Sequence, residues 1–378
     1  MIFRKFGNTD LMVSQLGFGC MRFPLRDSYD PTSIDELEAT RMIHYAIDQG
    51  VNYFDTAYSY HREMSEPFLG RIMGSGLRNS IILATKMPMW KIREPKDMMI
   101  LDDQLRRLKT DTIDVYLLHG LNRDSWKKVL EFDIFSFLDK NRSAGKIRFI
   151  GFSFHDQLPL FKEIVDAFPW QTCLIHLNYV DLDYQAGIEG LEYAYQGGLA
   201  VLIMEPLRGG KLAQNVPDEV KRIIDKAGRV QTPAQFAFRW LYNQPEICCV
   251  LSGMGRMEDL VENVKFASGE HIGSLSAEEL KAYQETRESF RARIKINCTG
   301  CGYCMPCEQK IPISFILGLY NDAYIYNGLG DSRRTYNLYI GAENRADRCA
   351  ECGKCEEKCP QGVPIIESLK RAHKIFTE

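Results

Sequence analysis

The sequence has no surplus of positive charge and no long apolar run. Its 378 residues carry 47 Lys and Arg against 50 Asp and Glu, which gives a formal net charge of -3 and a pI near 6.2. A partner such as nucleic acid or a membrane surface calls for clustered Lys and Arg, so neither is expected. No stretch approaches the ~20 apolar residues of a membrane helix. We expect the partner to be a small molecule or a redox protein.

The sequence also lacks an apolar leader. Its first ten residues, M-I-F-R-K-F-G-N-T-D, do not contain the apolar core of a signal peptide, so we expect a cytoplasmic protein. In that reducing compartment, twelve cysteines would not persist as structural disulfides. Core packing is expected for the four isolated ones, Cys20, Cys173, Cys248 and Cys249. The other eight lie close together and point to metal.

Short apolar runs alternate with amphipathic stretches from about residue 13 to residue 263. Eight runs predict strands, at 14–19, 51–56, 81–86, 113–119, 147–153, 173–179, 200–205 and 248–253. They are continuously apolar, which is typical of strands buried on both faces. The intervening stretches predict helices, among them 34–49 with a Ser33-x-x-Glu36 capping box, 126–144, and one that begins at Pro233 after Thr232.

Eight such units predict an α/β fold of the (β/α)8 TIM-barrel type. A doubly wound sheet is the alternative, although no G-x-G-x-x-G follows the first strand. Beyond residue 290 the pattern changes to cysteine-rich loops joined by 313–340, a stretch that predicts helix. We therefore expect a barrel domain over 1–290 and a small, mainly helical domain over 291–378.

The clustered cysteines form two groups near the end of the sequence. Three thiolates spaced C-x-x-C-x-x-C can reach three irons of an iron-sulfur cube, and in two-cluster ferredoxins the fourth ligand comes from the other group. We expect two [4Fe-4S] clusters in a ferredoxin-like domain, one held by Cys298, Cys301, Cys304 and Cys359, the other by Cys349, Cys352, Cys355 and Cys307. Cys307 departs from the usual spacing, since it follows Cys304 by three residues rather than four. Structural zinc is the alternative.

Charged or polar residues close three neighbouring predicted strands. Asp55, Lys86 and His119 stand at these ends, and Tyr60 follows Asp55 by five residues. The carboxyl ends of barrel strands form the active site in essentially every such enzyme, so we expect these side chains to meet. A buried Lys86 needs a partner, which Asp55 can supply. The ammonium would lower the pKa of Tyr60 and make it a proton donor, while His119 would hold a carbonyl oxygen.

These residues lie in segments that resemble the aldo-keto reductases, strongest in G-V-N-Y-F-D-T-A-Y-S-Y, I-L-A-T-K, D-V-Y-L-L-H and G-F-S. With its tail, the chain is similar to the ferredoxin-containing branch of that family, in which Y-H-x-x-x-S-E (60–66 here) and G-F-S-F-H-D (151–156 here) also occur. The resemblance implies an NAD(P)-dependent oxidoreductase that moves hydride between a dinucleotide and a carbonyl or alcohol. It makes Asp55, Tyr60, Lys86 and His119 catalytic, with Tyr60 the acid.

Family members bind NADPH or NADH in an extended form across the barrel mouth. Matching positions imply cofactor contacts at Ser153, Asn178, Pro206, Leu207, Gly209, Ser252, Gly253, Arg256, Glu262 and Asn263. Leu174 replaces a common glutamine, and Met204 replaces the tyrosine that stacks on nicotinamide. Asp259 stands where NADPH-preferring relatives often carry a basic residue, and would repel a 2′-phosphate unless Arg256 offsets it. The choice between NADH and NADPH stays open.

Three functions remain open at this point. The favoured one is a carbonyl oxidoreductase in which the clusters stabilise the tail or relay electrons. A second is an electron-transfer enzyme in which the clusters feed a flavin or exchange electrons with a redox protein. The third is a redox-sensing binding module without catalysis, and the complete set of four strand-end residues argues against it.

Overall fold

The computed structural model describes residues 1–74, 76–228, 230, 232–269 and 271–378. They group into two compact units, one formed by residues 1–206 and 237–275 and the other by residues 207–236 and 276–378. The strands are β1 (Phe3–Lys5), β2 (Met12–Ser14), β3 (Leu16–Gly19), β4 (Tyr53–Asp55), β5 (Ile82–Met87), β6 (Ile113–Leu121), β7 (Ile147–Phe154), β8 (Thr172–His176), β9 (Ala200–Met204) and β10 (Ile247–Ser252).

Strands β3 to β10 form a closed barrel in the first unit. Each strand is parallel to its neighbours, and β10 pairs with β3 to complete the ring, whereas β1 and β2 form a separate antiparallel pair. Apolar side chains such as Tyr53, Val115 and Leu202 fill the interior. The predicted (β/α)8 barrel is thereby confirmed and the doubly wound alternative is excluded. Because the interior is a packed core, chemistry is left to the strand ends.

The α-helices are α1 (Glu36–Asp48), α2 (Ser65–Met73), α3 (Ile100–Leu108), α4 (Arg123–Glu131), α5 (Ile134–Ser143), α6 (Leu158–Ala167), α7 (Gly187–Gln196), α8 (Asp218–Ala227), α9 (Pro233–Asn243), α10 (Met257–Ala267), α11 (Ala277–Arg291), α12 (Ile313–Ile325), α13 (Leu329–Tyr339), α14 (Lys354–Glu357) and α15 (Ile365–Thr377). Among the described residues, none of them combines the length and apolar character needed to cross a bilayer.

Two local predictions about helices are wrong. The stretch 126–144 is not one helix, because Asp133 adopts a left-handed φ of 50° between α4 and α5. The capping box at Ser33 does not form either. Asp35 caps α1 by accepting from the backbone N of Glu38 at 3.2 Å, whereas the Ser33 hydroxyl donates to the Asp30 carbonyl. Helix α9 begins at Pro233 as predicted.

The second unit has its own hydrophobic core. Ile313, Ile316 and Leu317 of α12 pack there with Tyr336 of α13 and Leu369 of α15. Six of the clustered cysteines, all except Cys301 and Cys352, pack against this core. The tail is therefore a helical unit whose thiols lie against its core. In the barrel unit, the four isolated cysteines are buried, as predicted.

Candidate active site and thiol-lined cavities

The four predicted catalytic residues lie together at the carboxyl ends of β4, β5 and β6. Asp55 is the last residue of β4 and pairs in register with Ala84 of β5, and Lys86 pairs with Leu117 of β6. Lys86 is 1% exposed, and its Nζ donates to Oδ1 of Asp55 at 2.6 Å, the Thr56 carbonyl at 2.8 Å and Oη of Tyr60 at 3.1 Å. An ammonium has three N–H groups, so all three are used.

These contacts shape the ionisation of the buried pair. Burial by itself disfavours the ammonium, but the Asp55 carboxylate, Tyr60 and hydrogen bonds to both outweigh it, so the pKa of Lys86 is raised. Burial raises the pKa of Asp55, and Lys86 opposes that rise. Oδ2 of Asp55 has no hydrogen-bond partner among the described residues. The carboxylate therefore depends on Lys86 for its stabilisation.

The prediction that Lys86 makes Tyr60 acidic needs correction. The ammonium does lower the pKa of the phenol, but burial raises it by more, and the net shift is upward. A buried phenolate loses hydration that one neighbouring cation does not fully replace. Tyr60 consequently holds its proton at neutral pH. Because Oη accepts the hydrogen bond from Lys86, the phenolic hydrogen is not used in that bond and can point at another acceptor.

His119 completes the group from β6. Its ring centroid lies 6.3 Å from that of Tyr60 and 5.0 Å from that of Trp90. Burial, followed by Lys86 and His155, holds the pKa of His119 well below its usual range. Its Nδ1 is buried and has no hydrogen-bond partner in the described part of the chain. A neutral imidazole with an unused nitrogen can bond an incoming oxygen.

The predicted cofactor positions are dispersed over several elements. In the barrel unit, Ser153 is the penultimate residue of β7, Ser252 ends β10, Arg256 precedes α10, and Nδ2 of Asn263 donates to Oγ of Ser252 at 3.3 Å. Gly253 follows Ser252, Glu262 lies in α10, Asn178 follows β8 and Pro206 follows β9. Leu207 and Gly209 belong to the second unit. The N-terminus of α10 offers backbone N–H groups of the kind that bind phosphate.

Asn178 is already engaged by its own loop and by the backbone that follows β9. Its Oδ1 accepts from the backbone N of Val180 and of Asp181, both at 3.0 Å. Its Nδ2 donates to Oδ2 of Asp181 at 2.9 Å and to the Glu205 carbonyl at 3.3 Å. The neighbouring Leu174 and Met204 offer no polar side-chain atom except sulfur. A nicotinamide carboxamide would therefore have to displace existing bonds to reach this amide.

Arg256 is paired with Asp259 in the first turn of α10. Its Nε and one terminal nitrogen meet the two carboxylate oxygens at 3.1 and 2.6 Å, and hydrogen bonding to Asp259 raises the pKa of Arg256. The guanidinium fork is thus occupied by a carboxylate, so this corner carries no net positive charge.

The two groups of cysteines line two cavities in the second unit. Cys298, Cys301, Cys304 and Cys359 line the first. Cys307, Cys349, Cys352 and Cys355 line the second, to which Cys304 is also adjacent. Each predicted ligand set therefore surrounds one cavity, including the member that is distant in sequence.

The arrangement of these thiols fits a cluster. In a [4Fe-4S] cube each of the four cysteine sulfurs binds a different iron, so the sulfurs stand around the cluster and not around one ion. Thiols spread around a cavity are the arrangement that a four-iron cube requires.

Sequence reasoning missed three contributors to the site. One is the backbone carbonyl of Thr56, which accepts from Lys86 and which any residue type could supply. The others are Ser65 and Glu66, both fully buried next to the site. The motif Y-H-x-x-x-S-E contains them, and a buried glutamate in an apolar helix could have signalled a structural task.

With the barrel and its polar strand ends established, comparison with known proteins gives the family. Residues 15–288, more than half of the chain, match the model of the aldo/keto reductase family, and residues 295–363 match the 4Fe-4S dicluster domain. The chain belongs to the aldo-keto reductase family and carries a C-terminal 4Fe-4S domain. It is thus an oxidoreductase of a family that acts on small molecules.

Relatives agree with this assignment. L-galactose dehydrogenase of Arabidopsis thaliana is 28% identical over 69% of this chain and 86% of its own length. 6-Dehydroglucose reductase of Novosphingobium aromaticivorans is 28% identical over 64% of this chain and 83% of its own length. The holo form of aldo-keto reductase AKR11C1 from Bacillus halodurans superposes with a TM-score of 0.63 at 25% identity, over 76% of this chain and 96% of that one.

Proposed function

We propose that this protein transfers hydride between NAD(P)H and a small carbonyl or alcohol, with Tyr60 as the general acid. The observation that carries the proposal is the triple engagement of Lys86, because it fixes an ammonium against Oη of Tyr60. A dinucleotide bound at the mouth would supply the hydride. The chain's own residues then have to bind the carbonyl oxygen and deliver one proton to it.

Tyr60 and His119 divide that task. The phenol accepts a hydrogen bond from Lys86 and so directs its own hydrogen at the substrate oxygen. As negative charge grows on that oxygen, Tyr60 gives up its proton, and Lys86 stabilises the phenolate that results. Neutral His119 donates a second hydrogen bond to the same oxygen. The balance is a carbonyl plus hydride plus proton to give an alcohol, and the reverse reaction uses the phenolate as base.

NADH suits the mouth better than NADPH. Asp259 occupies the guanidinium of Arg256 and cancels its charge. A 2′-phosphate placed here would meet a carboxylate, whereas the 2′-hydroxyl of NADH would not. The residues that would hold the dinucleotide are those predicted at the strand ends, with its phosphates near the first turn of α10.

The cavities of the second unit fit two [4Fe-4S] clusters with exchanged ligands. Cys359 completes the set that begins with Cys298, and Cys307 completes the set that begins with Cys349. Bound clusters would supply one-electron transfer, either to a redox protein or within the chain. We keep the predicted division into a barrel domain over 1–290 and a cluster domain over 291–378 as part of this proposal.

The substrate is a small polyhydroxylated carbonyl or its alcohol. Two relatives are named for sugars. Polar side chains stand at the strand ends beside His119, since His155 follows β7, and Nε2 of Gln185 lies 3.5 Å from its Nδ1. Such groups suit hydroxyl-bearing substrates. Aldehydes and aldoses compared side by side, with each dinucleotide, test the class.

A second function is favoured by one observation. The amide of Asn178 is engaged by its own loop and by the Glu205 carbonyl, and Leu174 and Met204 remove two other polar or stacking contacts to nicotinamide. A flavin fed with electrons by the clusters is consistent with this loss. Anaerobic titration with NADH and NADPH, followed through cluster absorbance, separates the two functions. Dinucleotide binding with turnover supports hydride transfer, whereas co-purified flavin and no dinucleotide binding would replace it.

A further inference from the structure

The motif Tyr60 to Glu66 carries two buried residues at its far end. Ser65 and Glu66 open α2, are fully buried, and lie six residues or fewer from Tyr60. Their side chains contact the two segments of backbone that hold Lys86, and the backbone N of Ser65 donates to the Tyr60 carbonyl at 3.2 Å.

Glu66 contacts the strand that carries Lys86. Its Oε1 accepts from the Thr85 hydroxyl and from Nε2 of Gln104, each at 2.7 Å. Nε2 of Gln104 also donates to the Lys86 carbonyl at 3.0 Å, and its Oε1 accepts from the Tyr116 hydroxyl at 2.7 Å. Glu66 thus fixes the end of β5 at two successive residues, directly at Thr85 and through Gln104 at Lys86.

Ser65 contacts the other side of the same ammonium. Its Oγ lies 2.8 Å from Oγ1 of Thr56 and donates to the Cys20 carbonyl at 3.3 Å. The carbonyl of Thr56 is one of the three acceptors of Lys86 Nζ. Ser65 therefore fixes Thr56, whose carbonyl accepts from the Lys86 ammonium. Glu66 fixes the β5 backbone that carries Lys86.

An unusual turn at residues 61–63 precedes Ser65 and Glu66 and brings them into place. His61, Arg62 and Glu63 have φ values of 53°, 50° and 72°, three successive non-glycine residues in the left-handed region. Such residues persist only where surrounding contacts fix them. Nδ1 of His61 lies 2.9 Å from the Pro31 carbonyl, and Arg107 donates to the Glu63 carbonyl while its Nε lies 3.1 Å from Oε2 of Glu66.

We propose that Ser65 and Glu66 are positioning residues that hold Lys86 against Tyr60 from two sides. The seven-residue segment 60–66 then supplies the proton donor at its first position. Its last two positions supply the residues that hold Lys86. The inference rests on the proposed role of Tyr60 as the acid. It predicts that loosening either support weakens the stabilisation of the Tyr60 phenolate and leaves substrate binding nearly unchanged.

The test compares Glu66→Ala, Glu66→Gln and Ser65→Ala with wild type as full, cluster-loaded chains. Glu66→Ala should lower kcat for carbonyl reduction about 10–100-fold, because displacements of about 1 Å cost on this scale, with KM values within about twofold. Alcohol oxidation needs the phenolate, so the apparent pKa of its kcat should rise by about one unit. Glu66→Gln should recover most activity, since an amide oxygen can still accept from Thr85 and Gln104.

Asp114→Asn is the matched control. Asp114 is a buried acid on β6 that accepts from the backbone N of Leu83 at 2.9 Å and pairs with Arg78 at 2.7 Å. It thus supports the same strand, β5, at its opposite end. Its loss should lower the unfolding temperature and leave the pH profile where it was. A merely structural role for Glu66 would give this same pattern.

The outcomes separate the two levels of the argument. Wild-type protein without carbonyl reduction, or with turnover unaffected by Tyr60→Phe, overturns the proposed function. Active wild-type protein combined with an unshifted Glu66→Ala profile overturns only the positioning role. If Glu66→Ala does not fold, Ser65→Ala decides the matter. It removes a single hydroxyl, and its profile must shift upward in the same sense for the proposal to stand.

Discussion

The Nζ atom of Lys86 lies 2.6 Å from Oδ1 of Asp55, and neither side chain is more than 3% exposed. Two opposite charges so far from water each need the other, because desolvation of a lone ion costs several kcal/mol. Removing one partner therefore has consequences beyond the chemistry.

Lys86→Met should destabilise the barrel by about 3–5 kcal/mol, since it leaves the Asp55 carboxylate buried and unpaired. All four tryptophans, at 90, 126, 170 and 240, lie in the barrel unit, so their fluorescence during denaturation reports on it. The double change Lys86→Met with Asp55→Leu should recover part of the loss. Equal stability of the single variant and wild type would contradict the buried-pair description.

Tyr60→Phe should lower kcat for carbonyl reduction by about 10²–10⁴-fold, the range typical of general acid catalysis. The ring and its packing remain, so dinucleotide affinity should stay within about twofold of wild type. Single-turnover rates and fluorescence titration measure the two quantities. Tyr195→Phe removes a phenolic hydroxyl at an exposed position on α7 and serves as control. Full turnover by Tyr60→Phe would remove the phenol from the reaction.

The depressed pKa of His119 predicts a pH dependence of stability. In the unfolded chain this imidazole titrates near 6.5, whereas in the folded state it binds its proton only at lower pH. Between those values the unfolded state binds more protons, so the contribution to stability is fully present above about pH 6.5 and is lost as the pH falls.

His119→Gln removes this contribution. The loss of stability between pH 7.5 and pH 5.5, measured from denaturation midpoints, should be smaller for the variant than for wild type. Burial also lowers the pKa of His155, so the denaturation midpoints of His155→Gln are measured at the same two pH values for comparison. If the denaturation midpoint of wild type falls no further between pH 7.5 and pH 5.5 than that of His119→Gln, then His119 is protonated in the folded protein without a loss of stability.

Asp259→Asn should shift dinucleotide preference toward NADPH. The change frees the guanidinium of Arg256 and removes one negative charge beside the expected 2′-phosphate, so the ratio of kcat/KM values for NADPH over NADH should rise about three- to tenfold. Asp139→Asn breaks a similar surface pair with Arg142, at 2.7 Å on α5, and should leave the ratio unchanged. An unaltered ratio in both variants would place the ribose elsewhere.

Cys359→Ser should remove one cluster and spare the other. Anaerobic wild-type protein should hold about eight irons per chain, and the variant about four, because only the first cavity loses a thiol. Iron analysis and electron paramagnetic resonance measure this. Cys173→Ser, which changes a buried barrel cysteine, should keep all the iron. Complete loss of iron from Cys359→Ser would mean that the sites are not independent.

The sequence was sufficient for the fold and for the expectation that Asp55, Tyr60, Lys86 and His119 lie close together. Continuous apolar runs predict strands buried on both faces, and eight of them with helices between leave few topologies other than a barrel. The spacing rules of cluster ligation predict that Cys359 joins the distant group, and Cys359 lines the same cavity as Cys298, Cys301 and Cys304. These signals are local in sequence and strong in composition.

What the sequence could not supply was the balance between opposing effects. Whether burial or Lys86 dominates the pKa of Tyr60 depends on how completely the phenol is desolvated. The hydrogen bonds of the Asn178 side chain depend on the path of the loop around it. The break between α4 and α5 depends on the left-handed conformation of a single residue, Asp133. The supports of Lys86 involve residues 56, 65, 66 and 104, whose proximity only folding creates.

The sulfurs of the first cavity come from two places in the chain, 298–304 and residue 359, with α12, α13 and α14 in between. A nascent polypeptide that has not yet been extended to residue 359 contains only three of the four cysteines that line this cavity. Completing the set of four requires synthesis through residue 359 and folding of the three intervening helices. A chain that stops short of residue 359 would therefore keep the complete cysteine set of the second cavity and lack that of the first.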